Sequence, residues 1–133
     1  MEAALRQFVI ARARGRCEYC QFPQEFSYLP FQVDHIIAQK HGGPTVETNL
    51  AWACYYCNSY KGPNLSGWLV ESDQVVRLFH PRKDGWRDHF AWHGALLLPK
   101  SDIGHVTIDV LEMNHPDVVE LREWMLELGV SDE

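Results

Sequence analysis

The stretch Phe31-Gln32-Val33-Asp34-His35-Ile36-Ile37 lies between two short cysteine pairs, Cys17-Glu18-Tyr19-Cys20 and Cys54-Tyr55-Tyr56-Cys57. Apolar residues flank the Asp-His dipeptide, so the stretch reads as a short strand with two polar side chains set into it. Neighbours on a strand point to opposite faces. Asp34 and His35 can therefore serve one site only if the strand ends or bends there, or if one contributes through a loop, and we expect irregular backbone at that dipeptide. Downstream, Gly42-Gly43-Pro44 has turn composition. Leu50 to Ala53 is a second strand candidate, and Cys54 to about Tyr60 is a helix candidate that Gly62-Pro63 stops.

The cysteines have metal-ligand spacing. Two C-x-x-C pairs separated by a few tens of residues match a tetrahedral four-cysteine zinc site. Two residues between ligands let both sulfurs reach one ion at about 2.3 Å without backbone strain. The site that Cys17, Cys20, Cys54 and Cys57 would make has no open coordination position, so its expected role is structural: zinc supplies folding free energy to a loop-rich segment with few core residues. Disulfides and buried free thiols are the competing readings. The first residues lack the apolar core of a secretory signal and are punctuated by Arg6, Arg12, Arg14 and Arg16, which counts against disulfides. A redox pair explains one C-x-x-C but not two.

The 133 residues suit one domain, and the composition is that of an ordinary globular protein. No apolar run approaches the roughly 20 residues that span a bilayer, so a cytoplasmic protein without a membrane partner is expected. The net charge of −6 by itself argues against nucleic acid, but the charge is unevenly spread. Through Lys100 there are 11 Lys and Arg against 9 Asp and Glu; from Ser101 onward there is 1 Arg against 9 acidic residues. A basic working face with the acidic tail turned away from it remains open.

Around the central stretch, Met1 to about Arg14 reads as a helix with Leu5, Phe8 and Val9 on one face, ended by Gly15. Pro23 and Pro30 bound a loop. Gln74 to Phe79 and Ala95 to Leu98 look like strands, and His105 to Leu111 is ambiguous. Pro116 to Leu128 is a helix with Pro116 at its first position, Asp117 at the positive end of the dipole, and Val118, Leu121, Met125 and Leu128 as its apolar face. No repeat, low-complexity segment or domain boundary is visible.

An Asp-His dipeptide alone carries little information. The ordered set carries much more: Cys17 and Cys20, Asp34-His35-Ile36, Gly42-Gly43, Asn49-Leu50, Cys54 with Cys57-Asn58, and Lys61-Gly62. In order and spacing this set resembles the HNH endonuclease family, over about Cys17 to Gly62, a little over a third of the chain. The resemblance implies an α+β fold with a ββα-metal core (about 17–62), stapled by the four-cysteine zinc site, with the N-terminal helix before it and a strand/helix extension (about 74–133) after it, all in one domain (1–133). It implies that His35 is the general base that activates a water. It implies that Asp34 and Asn58 bind a catalytic Mg²⁺ or Mn²⁺, and that Asn49 orients the loop carrying the base. DNA is the implied substrate, RNA not being set aside, and the implied products carry 5′-phosphate and 3′-hydroxyl ends. One departure is Ala38, where many members have proline; it alters loop stiffness and leaves the ligand chemistry intact.

Elementary chemistry agrees with these roles. Phosphodiester hydrolysis needs an activated water, charge stabilisation on the phosphoryl group and help for the leaving oxygen. An imidazole is largely neutral and basic near neutral pH. Carboxylate and amide oxygens are hard donors suited to Mg²⁺ or Mn²⁺. Lys61 is either a phosphate contact or a helix end. Arg82, Lys83 and Arg87, among Trp86, His89, Phe90 and Trp92, are either DNA contacts or the rim of a satellite core. The N-terminal arginines are a solvated face or phosphate contacts, and His41 has no derivable role. The rival reading is a non-catalytic, zinc-stapled nucleic-acid-binding module, which explains the cysteines but not the joint presence of Asp34, His35, Asn49 and Asn58.

Overall fold

The computed structural model describes residues 1–131. Helix α1 (Ala3–Ala13) ends where Arg14 and Gly15 both take left-handed backbone. Its inner side is Val9, fully buried, with Leu5, Ile10 and Ala13 partly covered. Phe8 is not on that side as expected: it is 44% exposed, and the Arg12 guanidinium lies 5.1 Å from its ring centroid. Arg12 also reaches past the helix to the carbonyls of Glu47 (3.0 Å) and Leu50 (2.8 Å), which ties α1 to the segment beneath it.

Strands β1 (Gln32–His35) and β2 (Leu50–Ala53) pair antiparallel, with Asp34 opposite Ala51 and His35 opposite Leu50. Helix α2 (Tyr55–Lys61) follows at once and stops at Gly62. This is the ββα unit. β2 is buried along its whole length, as its apolar sequence requires of a strand covered on both faces. The expected irregular backbone at Asp34-His35 does not occur, since both residues sit in the regular ladder. The strand ends directly after His35, and the two side chains point to opposite faces as alternation demands, Asp34 inward and His35 outward.

The segment from Ile36 to Asn49 is an ordered loop. Asn49, buried, accepts from the Ile37 backbone N–H (2.9 Å) and donates to the carbonyls of Ile37 (3.0 Å) and Pro44 (2.9 Å). The Gly43 N–H donates to the Ala38 carbonyl, and the chain passes so close that a Cβ on Gly43 would lie 1.7 Å from the Ile37 carbonyl oxygen. Backbone cannot yield as a side chain can. Gly43→Ala is expected to cost about 2–4 kcal/mol. Gly42→Ala meets no atom within 4 Å, and it suffers only from the positive φ of 86°, a cost of about 1 kcal/mol. Urea midpoints of the two variants measure this contrast.

After α2 the chain forms hairpin β3 (Ser66–Leu69)–β4 (Gln74–Arg77), helix α3 (Trp86–His89), hairpin β5 (Phe90–His93)–β6 (Leu96–Pro99) and helices α4 (Asp102–Val110) and α5 (Pro116–Glu127). These are the second and third of three two-stranded sheets and the last three of five α-helices among the described residues. The extension thus begins at Ser66, earlier than the sequence suggested. The ambiguous 105–111 stretch is helical because Ser101 caps α4, its hydroxyl accepting from the Gly104 N–H. Phe79, Phe90 and Leu97 belong to the same buried cluster as Val9 and Trp52, which favours the core reading of the aromatic segment.

On α5, Val118 and Met125 are buried, but Leu128 lies beyond the last turn and is 56% exposed. The inner stripe is instead completed by Arg122, which has no exposure at all. Its guanidinium donates to the carbonyls of Ala95 (3.0 Å) and Met113 (2.5 Å) and lies 5.3 Å from the Trp92 ring centroid. No described helix is long and apolar enough to cross a membrane.

Candidate active site and zinc centre

The two C-x-x-C knuckles meet. The sulfurs of Cys17, Cys20, Cys54 and Cys57 all lie within 4.8 Å of one another and all four residues are buried. Four sulfurs held about 2.3 Å from one ion at tetrahedral angles stand about 3.8 Å apart. The Cys20 and Cys54 sulfurs are 3.8 Å apart. Each knuckle also turns a backbone N–H onto its own first sulfur, Cys20 N to Cys17 Sγ at 3.5 Å and Cys57 N to Cys54 Sγ at 3.4 Å. None of the four forms a disulfide. The donor set therefore fits structural zinc. Crowded thiols ionise unequally: hydrogen bonds from its three neighbours hold the Cys20 thiol well below the usual range, and the nearby Arg122 charge helps. The same crowding pushes Cys54 and Cys57 well above it.

The centre also fixes the ββα unit. Glu18, inside the first knuckle, donates its backbone N–H to the Trp52 carbonyl (2.9 Å), and its carboxylate accepts from the Trp52 N–H (2.9 Å). The first knuckle is thus hydrogen-bonded to β2, and the second knuckle begins α2.

Beside the four-cysteine cluster, Tyr19 and Lys61 converge on Asp34. The Tyr19 hydroxyl donates to Asp34 Oδ2 at 2.6 Å. Lys61 Nζ lies 3.2 Å from Oδ2 and 3.3 Å from Oδ1, and also donates to the His35 carbonyl at 3.1 Å. Lys61 is 1% exposed. Burial raises the Asp34 carboxyl pKa, opposed by the Lys61 charge and the Tyr19 hydrogen bond. Tyr19 is pushed well above the usual phenol range, first by burial and then by the Asp34 charge. The Lys61 ammonium therefore clamps the Asp34-His35 dipeptide from below, while Asn49 holds the following loop.

His35 faces the other way. Its Nε2 is 2.9 Å from the Thr45 hydroxyl, to which the Gln39 amide also donates at 3.4 Å. Nδ1 has no partner among the described residues. Asn58 is half-buried on α2, one turn before Lys61 and on the same side of the helix. Its side-chain amide has no hydrogen bond among those described. His41 Nε2–H donates to the Pro63 carbonyl (3.0 Å), joining the loop to the end of α2.

The outlying basic residues differ in exposure. Arg82 is ion-paired with Glu18 and mostly covered, so it braces the first knuckle. Arg87 is exposed on α3, where its carbonyl accepts from Lys100 Nζ. Sequence reasoning missed Thr45, Tyr19 and Glu18. A tyrosine inside a buried knuckle gives some signal, but the Thr45 contact depends on the folded loop and leaves no sequence pattern.

The family model for HNH endonucleases matches residues 17–64. That segment runs from the first zinc cysteine through β1, the Asn49 loop, β2 and α2, so the match covers the structure just described. No curated protein and no solved structure matches the chain. The HNH endonuclease description carries metal-dependent nuclease activity on nucleic acid. The ββα unit with its four-cysteine cluster fits a zinc-stapled HNH core.

Proposed function

We propose that this HNH chain is a cytoplasmic, single-domain DNA endonuclease that hydrolyses phosphodiester bonds with His35 as general base. The observation that carries the reading is the outward-facing His35 ring, with Nε2 engaged by Thr45 and Nδ1 left free, at the end of a strand braced by Lys61 and Asn49. With Nε2–H donated to the Thr45 hydroxyl, the lone pair resides on Nδ1, the atom that takes a proton.

In this reading Nδ1 accepts a proton from a water as its oxygen attacks phosphorus. The P–O3′ bond breaks, leaving a 5′-phosphate, and the departing 3′ oxygen leaves with a proton from solvent as a hydroxyl. Asp34 and Asn58 would supply hard oxygen donors for Mg²⁺ or Mn²⁺, Asp34 having first to turn from its inward contacts with Lys61 and Tyr19 toward the His35 side, and the ion would supply positive charge to the phosphoryl group and the departing oxygen. A carboxylate retains lone pairs beyond its contacts with Tyr19 and Lys61. Asn49 acts by positioning. Lys61 acts from within, fixing the His35 carbonyl, while Arg87 and Lys83 are exposed cations of the aromatic segment and Arg82, paired with Glu18, braces the first knuckle. The four unpaired cysteines suit a reducing compartment.

Thr45→Ala is expected to lower kcat by about 3–10-fold, the value of one hydrogen bond that fixes a tautomer. Thr45→Ser should restore it, and KM should hardly change.

The experiment on the reaction itself incubates zinc-loaded protein with supercoiled plasmid and a matched RNA in Mg²⁺ or Mn²⁺, with EDTA as control. DNA cut only with added metal, into ends that ligase rejoins directly, is the expected result. Ends blocked to ligase overturn the chemistry, and cleavage of RNA alone overturns the substrate. A second reading, a zinc-stapled binding module, is favoured by one observation: an ammonium already neutralises Asp34. DNA retention without cleavage under any metal would establish it.

A further inference from the structure

Helix α5 carries a second, outward stripe. Asp117, Glu120 and Trp124 recur at helical spacing and, with the half-buried Leu121 that also packs on the core, line a pocket of about 440 Å³ together with Tyr28 and Tyr56. Trp124 stacks on Tyr28 at 6.5 Å and 28° and is braced edge-on by Phe26 at 5.7 Å. Tyr28 is 79% exposed, so the aromatic wall is not buried by anything in the fold.

The charge around this pocket has one sign. From Ser101 onward the chain has a single Arg or Lys, Arg122, and it is sealed in the core. Asp117 has only a long 3.8 Å contact with His115, and Glu120 has no described partner. Carboxylates beside aromatic faces repel nucleic acid and attract a cation. Arginine fits better than lysine: its flat guanidinium lies on a ring while its fork reaches a carboxylate, and it gives up hydration more readily.

We propose that this pocket is a docking site for an arginine side chain presented by a basic protein segment. Tyr56 lies on α2 two residues before Asn58, and positions two apart on a helix do not face each other. A partner seated here therefore holds the outer side of the helix whose inner side carries Asn58 and Lys61. The site stands whether or not the chain cleaves DNA.

The test titrates the full chain with a short peptide of alternating glycine and arginine and follows the Trp124 indole N–H resonance, assigned by its loss in Trp124→Phe. A saturable shift is expected. It should weaken about tenfold in Asp117→Asn/Glu120→Gln, and less when lysine replaces arginine in the peptide. It should vanish when neutral citrulline replaces arginine. These substitutions are on the surface, so the remaining resonances should report an unchanged fold. A Trp124 signal unmoved by the arginine peptide, or equal affinity in the double variant, overturns the proposal.

Discussion

Cys57→Ser is expected to abolish the cooperative unfolding transition of this chain. The four sulfurs all lie within 4.8 Å of one another, Cys20 and Cys54 at the 3.8 Å that one tetrahedral ion requires, and all four residues are buried. Apparent zinc binding in such sites contributes about 10–16 kcal/mol, whereas a whole domain is stable by only about 5–15 kcal/mol. Losing one thiolate ligand removes most of the first quantity. It also frees the two segments that the knuckles hold, because Cys54 and Cys57 begin α2 and Glu18 is hydrogen-bonded to β2. Metal analysis should find one zinc per wild-type chain and little in the variant, and circular dichroism should show a sharp melt only for the former. A strong chelator should reproduce the loss in the wild type. A zinc-free variant that melts like the wild type would mean that the buried cluster is held by packing alone.

His35→Ala should do the opposite, leaving the fold and removing the activity. The ring is half-exposed and its described side-chain contact is with the exposed Thr45, so its loss should shift stability by under about 1 kcal/mol. General-base catalysis contributes about 10²–10⁴-fold, and the single-turnover rate should fall by that factor while zinc content and melting stay unchanged. Lys61 and Asn49, which hold the backbone on either side of His35, make a contrasting pair. They are buried, so substitutions there should lower stability and rate together.

The ββα core was legible in the sequence because its signals are local. Cysteine spacing, the alternation at Val33-Asp34-His35 and the Gly62 stop each fix a few residues and agree with one another. Regular backbone at Asp34-His35 was missed because both residues were required to reach one site from one strand face. The structure instead meets alternation fully: Asp34 turns in to Lys61 and Tyr19, and His35 turns out to Thr45. The extension was harder to read. Ser66-Gly67-Trp68-Leu69 and Phe90-Ala91-Trp92-His93 become strands only because hairpin partners pair with them. Arginine is a solvent residue by type, yet two backbone carbonyls and the Trp92 face hold the Arg122 guanidinium inside the core. Interactions of that kind depend on contacts distant in sequence, and no periodic pattern announces them.

The most direct measurement compares zinc-loaded wild type and His35→Ala on supercoiled plasmid, each with and without added Mg²⁺ or Mn²⁺. Cleavage by the wild type only when the metal is added, and its near-complete loss in a variant that melts normally, is the expected result. Equal cleavage by the two proteins, or cleavage that ignores the added metal, would contradict the assignment of His35 and of metal-dependent hydrolysis to this site.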